Sequence, residues 1–209
     1  MVRLKGLSQI EVEEIKRQIA DAYFDYQYNE VDEGLIKYIP NRESMHTYIG
    51  AIVKAAYNSG LMYATSSKRE GYLFLAGDGV GTVRFMDGMK MIAAEKKALG
   101  SFKKMKAFIS ACFSDGGSIE TRMKKAKRKF IRIEMLVVRK EYQKQGFMKR
   151  MLEYVYELAD RKGLPVILDT DDKDKCDRYM HLGMSLDRIR SCGDRFHMYD
   201  LIRGPRKRV

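Results

Sequence analysis

The order of its predicted elements places this chain in the α/β class. Segments with helical and strand-like hydrophobic periods follow one another as helix, helix, strand, strand, a helical stretch, strand, helix, strand, helix, strand and strand. The 209 residues are 45 % hydrophobic, which is enough apolar side chain to fill the core of one domain. In the clearest stretch, residues 130–183, a strand leads through a basic, glycine-bearing turn into a helix. We therefore predict one α/β domain over residues 1–209.

The first elements carry recognisable start signals. Ser8 and Glu11 form a capping box, which predicts a helix from there to about Phe24. In a second predicted helix, over residues 43–57, the apolar side chains recur on one face. Residues 61–65 and 72–76 are predicted strands joined by a polar turn, an arrangement typical of a β-hairpin.

The next segment is predicted to be a helical insertion over about 78–127. Its start, Gly77 to Gly81, is a flexible turn that does not complete a GxGxxG pattern because residue 82 is Thr82, so we give it no nucleotide role. From about 83 to 113 the pattern is helical. One apolar stripe in it consists of Phe102, Met105, Ile109, Cys112 and Phe113.

The last third of the chain alternates strands and helices around a central strand at 130–138. Strict alternation predicts that Ile131, Ile133, Met135 and Val137 point to one face of this strand and Arg132, Glu134, Leu136 and Val138 to the other. A helix follows Gly146 and ends at Gly163. A strand at 164–170, a helix at 174–182 and two closing strands, about 184–189 and 195–202, complete the order.

The formal net charge of +12 favours anionic partners such as a nucleotide, a nucleic acid or an anionic membrane. Much of the excess lies in residues 122–129 and in the tail, 203–208. Neither segment has the interleaved aromatic side chains that stack on bases. We interpret both as a solvated basic face and a frayed tail.

The cysteines and the hydropathy indicate a cytoplasmic protein. Cys112, Cys176 and Cys192 are far apart and have no CxxC spacing, which favours reduced thiols over disulfides or a zinc site. No apolar run approaches the roughly 18 residues of a membrane span. The N-terminus also lacks the apolar region of a signal peptide.

The turn that follows the central strand is predicted to bind an anion. Its residues, Gln143-Lys144-Gln145-Gly146, lie between a strand and the first turn of a helix. Free backbone N–H groups and the helix dipole converge on a phosphate at such a place. The plain alternative is an ordinary polar turn.

Together with the element order, two motifs resemble the GNAT superfamily of N-acetyltransferases. In that family the central strand enters a Gln/Arg-x-x-Gly-x-Gly/Ala loop that holds the pyrophosphate of acetyl-CoA, and here the match is Gln143 to Met148. The family's closing Tyr-x-x-x-Gly-Phe pattern matches Tyr179 to Met184. The resemblance covers about residues 128–203, the predicted cofactor-binding core. It implies a mixed central sheet whose strands splay apart, flanked by helices.

The resemblance also implies which residues hold acetyl-CoA. Backbone groups of the central strand would pair with the pantetheine arm, and N–H groups of the turn would cradle the pyrophosphate. The implied set is Leu136, Val137, Val138, Gln143, Lys144, Gln145, Gly146, Phe147, Met148 and Lys149. Met148 departs from the family's glycine or alanine. Because it also continues the apolar stripe of the helix, we expect its side chain to point inward.

Two residues are the candidates for the chemistry. The resemblance implies that Tyr179 protonates the departing CoA thiolate, although it could instead be a packed tyrosine bonded to a backbone carbonyl. Glu134 is the candidate base that deprotonates the amine, with an ion pair to Arg132 as the alternative. His181 and His197 are weaker candidates for the base. The acidic cluster Asp169, Asp171, Asp172 and Asp174 would attract a cation or cap the next helix.

We therefore predict an acetyltransferase that moves an acetyl group from acetyl-CoA to a primary amine by direct attack, without a metal. The acceptor would be a small molecule or a peptide, and the protein a monomer or a homodimer with no membrane contact. One alternative is an inactive acyl-CoA-binding sensor or partner module. A second is an RNA- or ribosome-associated protein, which steeply salt-dependent RNA binding would favour.

Overall fold

A computed structural model describes residues 1–28, 34, 38–100, 106, 109–110, 116–191 and 196–206. Its strands are β1 (Val2–Arg3), β2 (Met62–Ala64), β3 (Gly71–Gly77), β4 (Ile131–Val138), β5 (Val166–Thr170), β6 (Ser185–Ser191) and β7 (His197–Arg203). Its helices in these ranges are α1 (Gln9–Phe24), α2 (Arg42–Asn58), α3 (Phe85–Leu99), α4 (Ile119–Lys125), α5 (Phe147–Lys162) and α6 (Lys173–His181). The strands form one seven-stranded mixed sheet in the order β1-β2-β3-β4-β5-β7-β6. The predicted α/β class is confirmed.

The helices begin and end at the signals that the sequence carries. Ser8 and Glu11 form the complete capping box of α1, and Asn41 caps α2 through the Ser44 N–H group. Asp172 caps α6 by accepting the N–H of Lys175. At the end of α5, Gly163 adopts the left-handed conformation with φ of 63°.

Two elements were not predicted, and some predictions lie outside the described residues. The short strand β1 pairs with β2, and α4 occupies part of the basic stretch that we interpreted as a solvated face. Most of the apolar stripe at 102–113, the turn at 192–195, Cys112, Cys192 and the last three tail residues lie outside the described residues. Cys176 is buried.

The two basic segments are only partly solvated, which corrects the prediction. Arg122 on α4 donates to the buried carboxylate of Asp200 at 2.7 Å. Arg203, predicted to lie in a frayed tail, ends β7, is 7 % exposed and binds both carboxylate oxygens of Asp160. These arginines are structural because each has a carboxylate partner on another element. None of the described helices is long and apolar enough to cross a membrane.

A β-bulge in β4 overturns the predicted alternation of its side chains. The pairing of β3 with β4 steps from Phe74↔Met135 to Leu75↔Ile133, so Glu134 has no partner residue on β3. Before the bulge, Ile131 and Ile133 pack with the core beneath α5. After it, Met135 and Val137 pack with the core beneath α1 and α2. The side chains after the bulge therefore point to the face opposite the predicted one, because the extra residue shifts the two-residue alternation of the strand by one position.

The parallel strands β4 and β5 diverge soon after they begin. They pair only at Ile131↔Val166 and Arg132↔Ile167, whereas β4 continues to Val138. A gap therefore opens between them towards their carboxyl ends. Helices α5 and α6 pack on one face of the sheet beside this gap, and α1, α2 and α4 pack on the other.

Candidate active site

The turn at the open end of the gap has an unusual backbone. Lys144 has a φ of 61° although it is not glycine, and Gly146 has a φ of 77°. A Cβ at Gly146 would contact nothing within 4 Å, so glycine is favoured there by the backbone conformation and not by crowding. These two left-handed residues turn the chain so that α5 starts with its first N–H groups facing the mouth of the gap.

The start of α5 is suited to an anion because no side chain occupies it. Gly146 is the N-cap and supplies no capping hydrogen bond, so the N–H groups of Phe147 to Lys149 are available. Lys144 and Lys149 are exposed. Arg150, which the sequence prediction missed, curls back over the Phe147 ring and donates to the Gln145 carbonyl at 3.4 Å. Arg150 lies two residues after the Gln143–Met148 motif, and this nearness could have indicated its role in the sequence.

Three of the predicted cofactor-binding residues, Leu136, Val138 and Met148, lie on the α5 side of the sheet. Leu136 and Val138 are half-buried on the α5 side of β4, where they pack against the core beneath that helix. Met148 packs against the same core, as its apolar stripe predicts, and so points away from the phosphate side of the turn. Val137 packs with the core on the opposite face of the sheet and pairs with Tyr72 of β3.

A pocket of about 390 Å³ begins at the first turn of α5. It runs between α5 and the end of α6. Its lining residues are Lys149, Leu152, Glu153, Tyr156, His181, Leu182, Gly183, Arg203 and Arg206. The Tyr156 hydroxyl is buried and has no hydrogen-bond partner among the described residues. The pocket thus combines cations, an aromatic ring and an unused hydroxyl.

Tyr179 lies on α6 and is 8 % exposed. Burial raises the pKa of its phenol, and Tyr156 raises it further, so the hydroxyl stays protonated near neutral pH. Its hydroxyl forms no hydrogen bond with another residue in the described part of the chain, so no backbone carbonyl there holds it. Tyr23 at the end of α1 is a neighbour, since Tyr179 and Asp171 both raise its pKa beyond the effect of burial.

Glu134 lies at the bulge, on the α4 side of β4. Burial raises the pKa of its carboxyl, Arg132 opposes this, and Glu120 and Asp169 add to the rise. Arg132 Nε lies 3.2 Å from Glu134 Oε2 but lacks hydrogen-bond geometry. The predicted alternative, an ion pair with Arg132, is therefore present, yet no aligned hydrogen bond holds the Glu134 carboxylate to Arg132.

Arg132 is shared among three carboxylates. It also binds Glu120 on α4 and, through Nη2 at 2.9 Å, Asp169 on β5. Although burial opposes its charge, Asp169, Glu134 and Glu120 raise the pKa of Arg132. With more than one negative group competing for it, the guanidinium does not fully neutralise Glu134.

The network extends through a fully buried arginine that the sequence did not predict. Arg190, 1 % exposed, binds Asp200 through Nε at 3.1 Å and Nη2 at 2.9 Å, and Asp169 through Nη2 at 3.1 Å. Asp200 also accepts from Arg122, which binds Asp187. One continuous charge network therefore runs from β6 to the base candidate on β4.

The remaining candidates are spread around the site. His181 is exposed in the pocket beside α5 and His197 lies on β7, so neither joins Glu134. Asp171 accepts from the Tyr28 hydroxyl at 2.7 Å. Lys175 Nζ lies 3.6 Å from the centre of the Tyr26 ring. The tyrosine-rich end of α1, which the prediction overlooked, thus covers the mouth of the gap.

Among the described residues no group of three or more His, Cys, Asp or Glu side chains could hold a metal ion. What these residues form is a splayed pair of parallel strands with an anion-binding helix start at the open end, a buried tyrosine on one side and a carboxylate on the other. This is the mixed, splayed α/β sheet that the sequence predicted.

Comparison with known proteins finds a family match over part of the chain. Residues 104–184 match the family described as Acetyltransferase (GNAT) family, and this range includes both the turn and Tyr179. No curated protein sequence matches the chain. The predicted resemblance to the GNAT superfamily is confirmed.

Solved structures share the fold over the whole chain. A Corynebacterium glutamicum structure, described as histone acetyltransferase HPA2 and related acetyltransferase, has a TM-score of 0.59 at 12 % identity and covers 100 % of this chain and 99 % of that one. Arylalkylamine N-acetyltransferase 2 from Aedes aegypti has a TM-score of 0.57 at 12 % identity, covering 97 % and 98 %. An N-acetyltransferase from Staphylococcus aureus Mu50 has a TM-score of 0.51 at 14 % identity, covering 97 % and 100 %. At these identities the structures establish the GNAT fold.

Proposed function

We propose that this protein transfers an acetyl group from acetyl-CoA to a primary amine by direct attack. The observation that carries the proposal is the open gap between β4 and β5, limited to two paired positions, with the uncapped start of α5 at its mouth. The family match over the same residues supports it. Acetyl-CoA would supply an activated thioester, and the protein would supply the positioning and the proton transfers.

The turn would hold the phosphate end of the cofactor. N–H groups of Phe147 to Lys149 are uncapped, and the dipole of α5 favours negative charge at its start. Lys144 and Arg150 add positive charge beside it. The pocket along α5 would take the 3′-phosphoadenosine, because the exposed cations Lys149 and Arg206 in its lining suit a phosphate. The backbone of Leu136 to Val138 would lie along the pantetheine arm.

Two side chains would move the protons. Glu134 has a raised pKa and so binds a proton more readily than an ordinary carboxylate, either directly from the amine or through a water. Tyr179 stays protonated because burial raises its pKa, and so can donate to the sulfur when the C–S bond breaks. The amine nitrogen would form the new C–N bond as the C–S bond breaks. Its second proton would return to the Tyr179 phenolate, directly or through a water, which leaves the amide, the CoA thiol and a protonated Glu134.

The α4 side of the gap suits an acceptor that arrives as an ammonium ion. Glu120, Glu134 and Asp169 all contact Arg132 there, and Glu134 has no second cationic partner among the described residues, whereas Glu120 also pairs with Lys124 and Asp169 with Arg190. The tyrosine-rich end of α1 covers the same mouth. A small amine and a peptide N-terminus or lysine both satisfy these features.

Calorimetric titration with acetyl-CoA tests the cofactor site first. Gly146→Glu places a carboxylate at the helix start, and Gly163→Glu is its matched control. Both glycines are left-handed, at the two ends of α5, and both leave open space for a side chain. We expect micromolar binding that Gly146→Glu loses and Gly163→Glu keeps. Equal loss in both variants, or no binding by the natural protein, would contradict the proposal.

Two further measurements separate binding from chemistry. CoA release should depend on an added primary amine, and Tyr179→Phe or Glu134→Gln should reduce it without abolishing acetyl-CoA binding. Binding without any amine-dependent release would instead favour the sensor alternative. Dephospho-CoA, which lacks the 3′-phosphate, should bind more weakly than CoA to the natural protein, and Arg206→Gln should remove that difference.

A further inference from the structure

The turn at 143–146, which we name the cofactor turn, lies at one end of the sheet. The opposite end of the sheet carries a surface that the proposed reaction does not use. We define this basic end face by six exposed cations, namely Lys125, Lys127, Arg128, Lys129, Arg161 and Lys162. They come from two segments that are more than thirty residues apart in sequence. None of the six forms an ion pair with a carboxylate among the residues that the structure describes.

The fold brings these two segments together at the start of β4 and β5. Lys127, Arg128 and Lys129 lie directly before Phe130 and β4, and Arg161 and Lys162 end α5 directly before β5. The Ile131 N–H donates to the Pro165 carbonyl at 2.9 Å, which joins the two approaches.

Contacts through the turn after β3 confirm the convergence. Phe130 N–H donates to Asp78 Oδ2 at 3.0 Å. A side chain at Gly79, next to Asp78, would lie 3.0 Å from Cδ of Lys162. Lys162 on α5 therefore reaches the turn after β3, and Asp78 in the same turn binds Phe130, the residue after Lys129.

The backbone holds the first segment in place, so it is not a frayed run of charge. Lys127 has a φ of 53° and its N–H donates to the Lys124 carbonyl at 3.0 Å, which closes α4. Ile119, Met123 and Phe130 are buried together with Ile167 on β5. The cations are thus displayed from an anchored scaffold, and their mutual repulsion is not relieved by the described part of the protein.

We propose that the basic end face binds the phosphate backbone of a nucleic-acid duplex. A polyanion relieves the repulsion among the six cations, and phosphate contacts need no sequence-specific geometry. No large hydrophobic side chain of the described residues is exposed on segments 119–131 or 159–166. That composition disfavours a membrane, which needs apolar insertion, and a single strand, which needs aromatic stacking.

The face and the cofactor turn are far enough apart to act independently. They lie at opposite ends of β4, whose eight residues span about 23 Å at roughly 3.3 Å per residue. A duplex on the basic end face therefore leaves the gap and the start of α5 free. The basic end face does not include the tail beyond Arg206.

Fluorescence anisotropy with a short labelled DNA duplex and an RNA duplex of equal length tests the proposal. If about six phosphates are neutralised, the slope of log K against log salt on DNA is about −5, and affinity falls about 10³-fold between about 50 and about 200 mM salt. The face variant carries Lys125→Gln, Arg128→Gln, Lys129→Gln and Lys162→Gln. Its affinity should fall only about tenfold over that range.

The matched control removes the same charge elsewhere. It carries Lys5→Gln, Arg17→Gln, Lys54→Gln and Lys90→Gln, all exposed positions on other faces, and should bind as the natural protein does. Lys129→Glu alone is a second, less disruptive variant and should weaken binding several-fold. Saturating acetyl-CoA should leave duplex binding unchanged.

Several outcomes would overturn the proposal. Equal weakening in the face and control variants would show that only net charge matters. Displacement of the duplex by acetyl-CoA would place it on the cofactor turn. Binding to anionic lipid vesicles without binding to either duplex would assign the face to a membrane, and no binding at low salt would leave it without a polyanion partner.

Discussion

Replacing the buried arginine of the charge network gives the strongest test of the structure. Arg190→Met keeps a long apolar stem but removes the guanidinium that binds Asp200 and Asp169. Arg190 is 1 % exposed and Asp200 is 0 % exposed, so water cannot replace the lost partner without rearrangement. In that variant Asp200 keeps Arg122, at 2.7 Å, as its cationic partner among the described residues.

The expected cost follows from this burial. Breaking a buried ion pair by removing one partner costs about 3–5 kcal/mol, because the remaining charge is uncompensated. For a chain of this length about 1 kcal/mol shifts the melting temperature by roughly 2–4 °C, so Arg190→Met should melt about 6–20 °C lower. A total stability of about 5–15 kcal/mol makes this a large fraction.

Thermal and urea unfolding of three variants would measure the effect. Arg17→Met makes the same chemical change at an exposed position of α1 and should stay within about 0.5 kcal/mol of the natural protein. Arg190→Met/Asp200→Asn removes the stranded charge and should recover at least about 1 kcal/mol. A loss below about 1 kcal/mol for Arg190→Met, or no recovery in the double variant, would refute the reasoning.

Three further predictions concern pH and chemistry. Hydrogen bonds from Arg69 and, to a smaller extent, from Ser8 lower the pKa of Glu11 from 4.5 to about 2. The Glu11 carboxylate therefore stabilises the fold above about pH 4.5, and this stability is lost as the pH falls towards 2. The melting-temperature difference between the natural protein and Glu11→Gln should shrink over that window. Glu120→Gln removes a like charge that raises the pKa of Glu134, so the acid limb of kcat/KM should move to lower pH. An unmoved limb would exclude Glu134 as the base. Tyr179→Phe should lower kcat by about 10²-fold or more with little change in acetyl-CoA affinity, measured by CoA release and calorimetry; an unchanged kcat would leave Tyr179 a packing residue.

The element order could be predicted because its signals are local. The capping box at Ser8, the left-handed glycine at Gly163 and the apolar stripes depend on residues within a few positions of each other. The turn between β4 and α5 was predictable for the same reason, since its strand, glycine and helix are contiguous; its role in binding a cofactor stays a prediction. The cytoplasmic location and the domain limits stay predictions of the sequence.

Helix α4 was hidden by its composition. Its N-cap, Ser118, and its buried pair, Ile119 and Met123, are adequate helix signals. They lie between the Gly116-Gly117 pair and a run of cations that we interpreted as a solvated face. The helix forms because those two apolar side chains find Phe130 and Ile167, and that contact is not visible in a local pattern.

The charge network was out of reach for a different reason. The sequence shows Arg132 and Glu134 two residues apart, and this spacing suggested a simple pair. Asp169, Arg190 and Asp200 join them only because β5, β7 and β6 are neighbours in the sheet. Which charges share a face is set by strand order and register, and neither is written in any one segment.

The bulge at Glu134 was also not predicted from the sequence, and it bears directly on the proposed chemistry. With unbroken alternation, Leu136 and Val138 would share a face with Arg132 and Glu134, and the apolar lining of the gap would lie on the acidic side. The extra residue instead turns Leu136 and Val138 towards α5, while Glu134 stays beside Arg132. One irregular position thus separates an apolar side suited to the acyl donor from an acidic side suited to an amine. The hydrophobic pattern of β4 does not reveal the irregularity, because the buried residues still alternate along it.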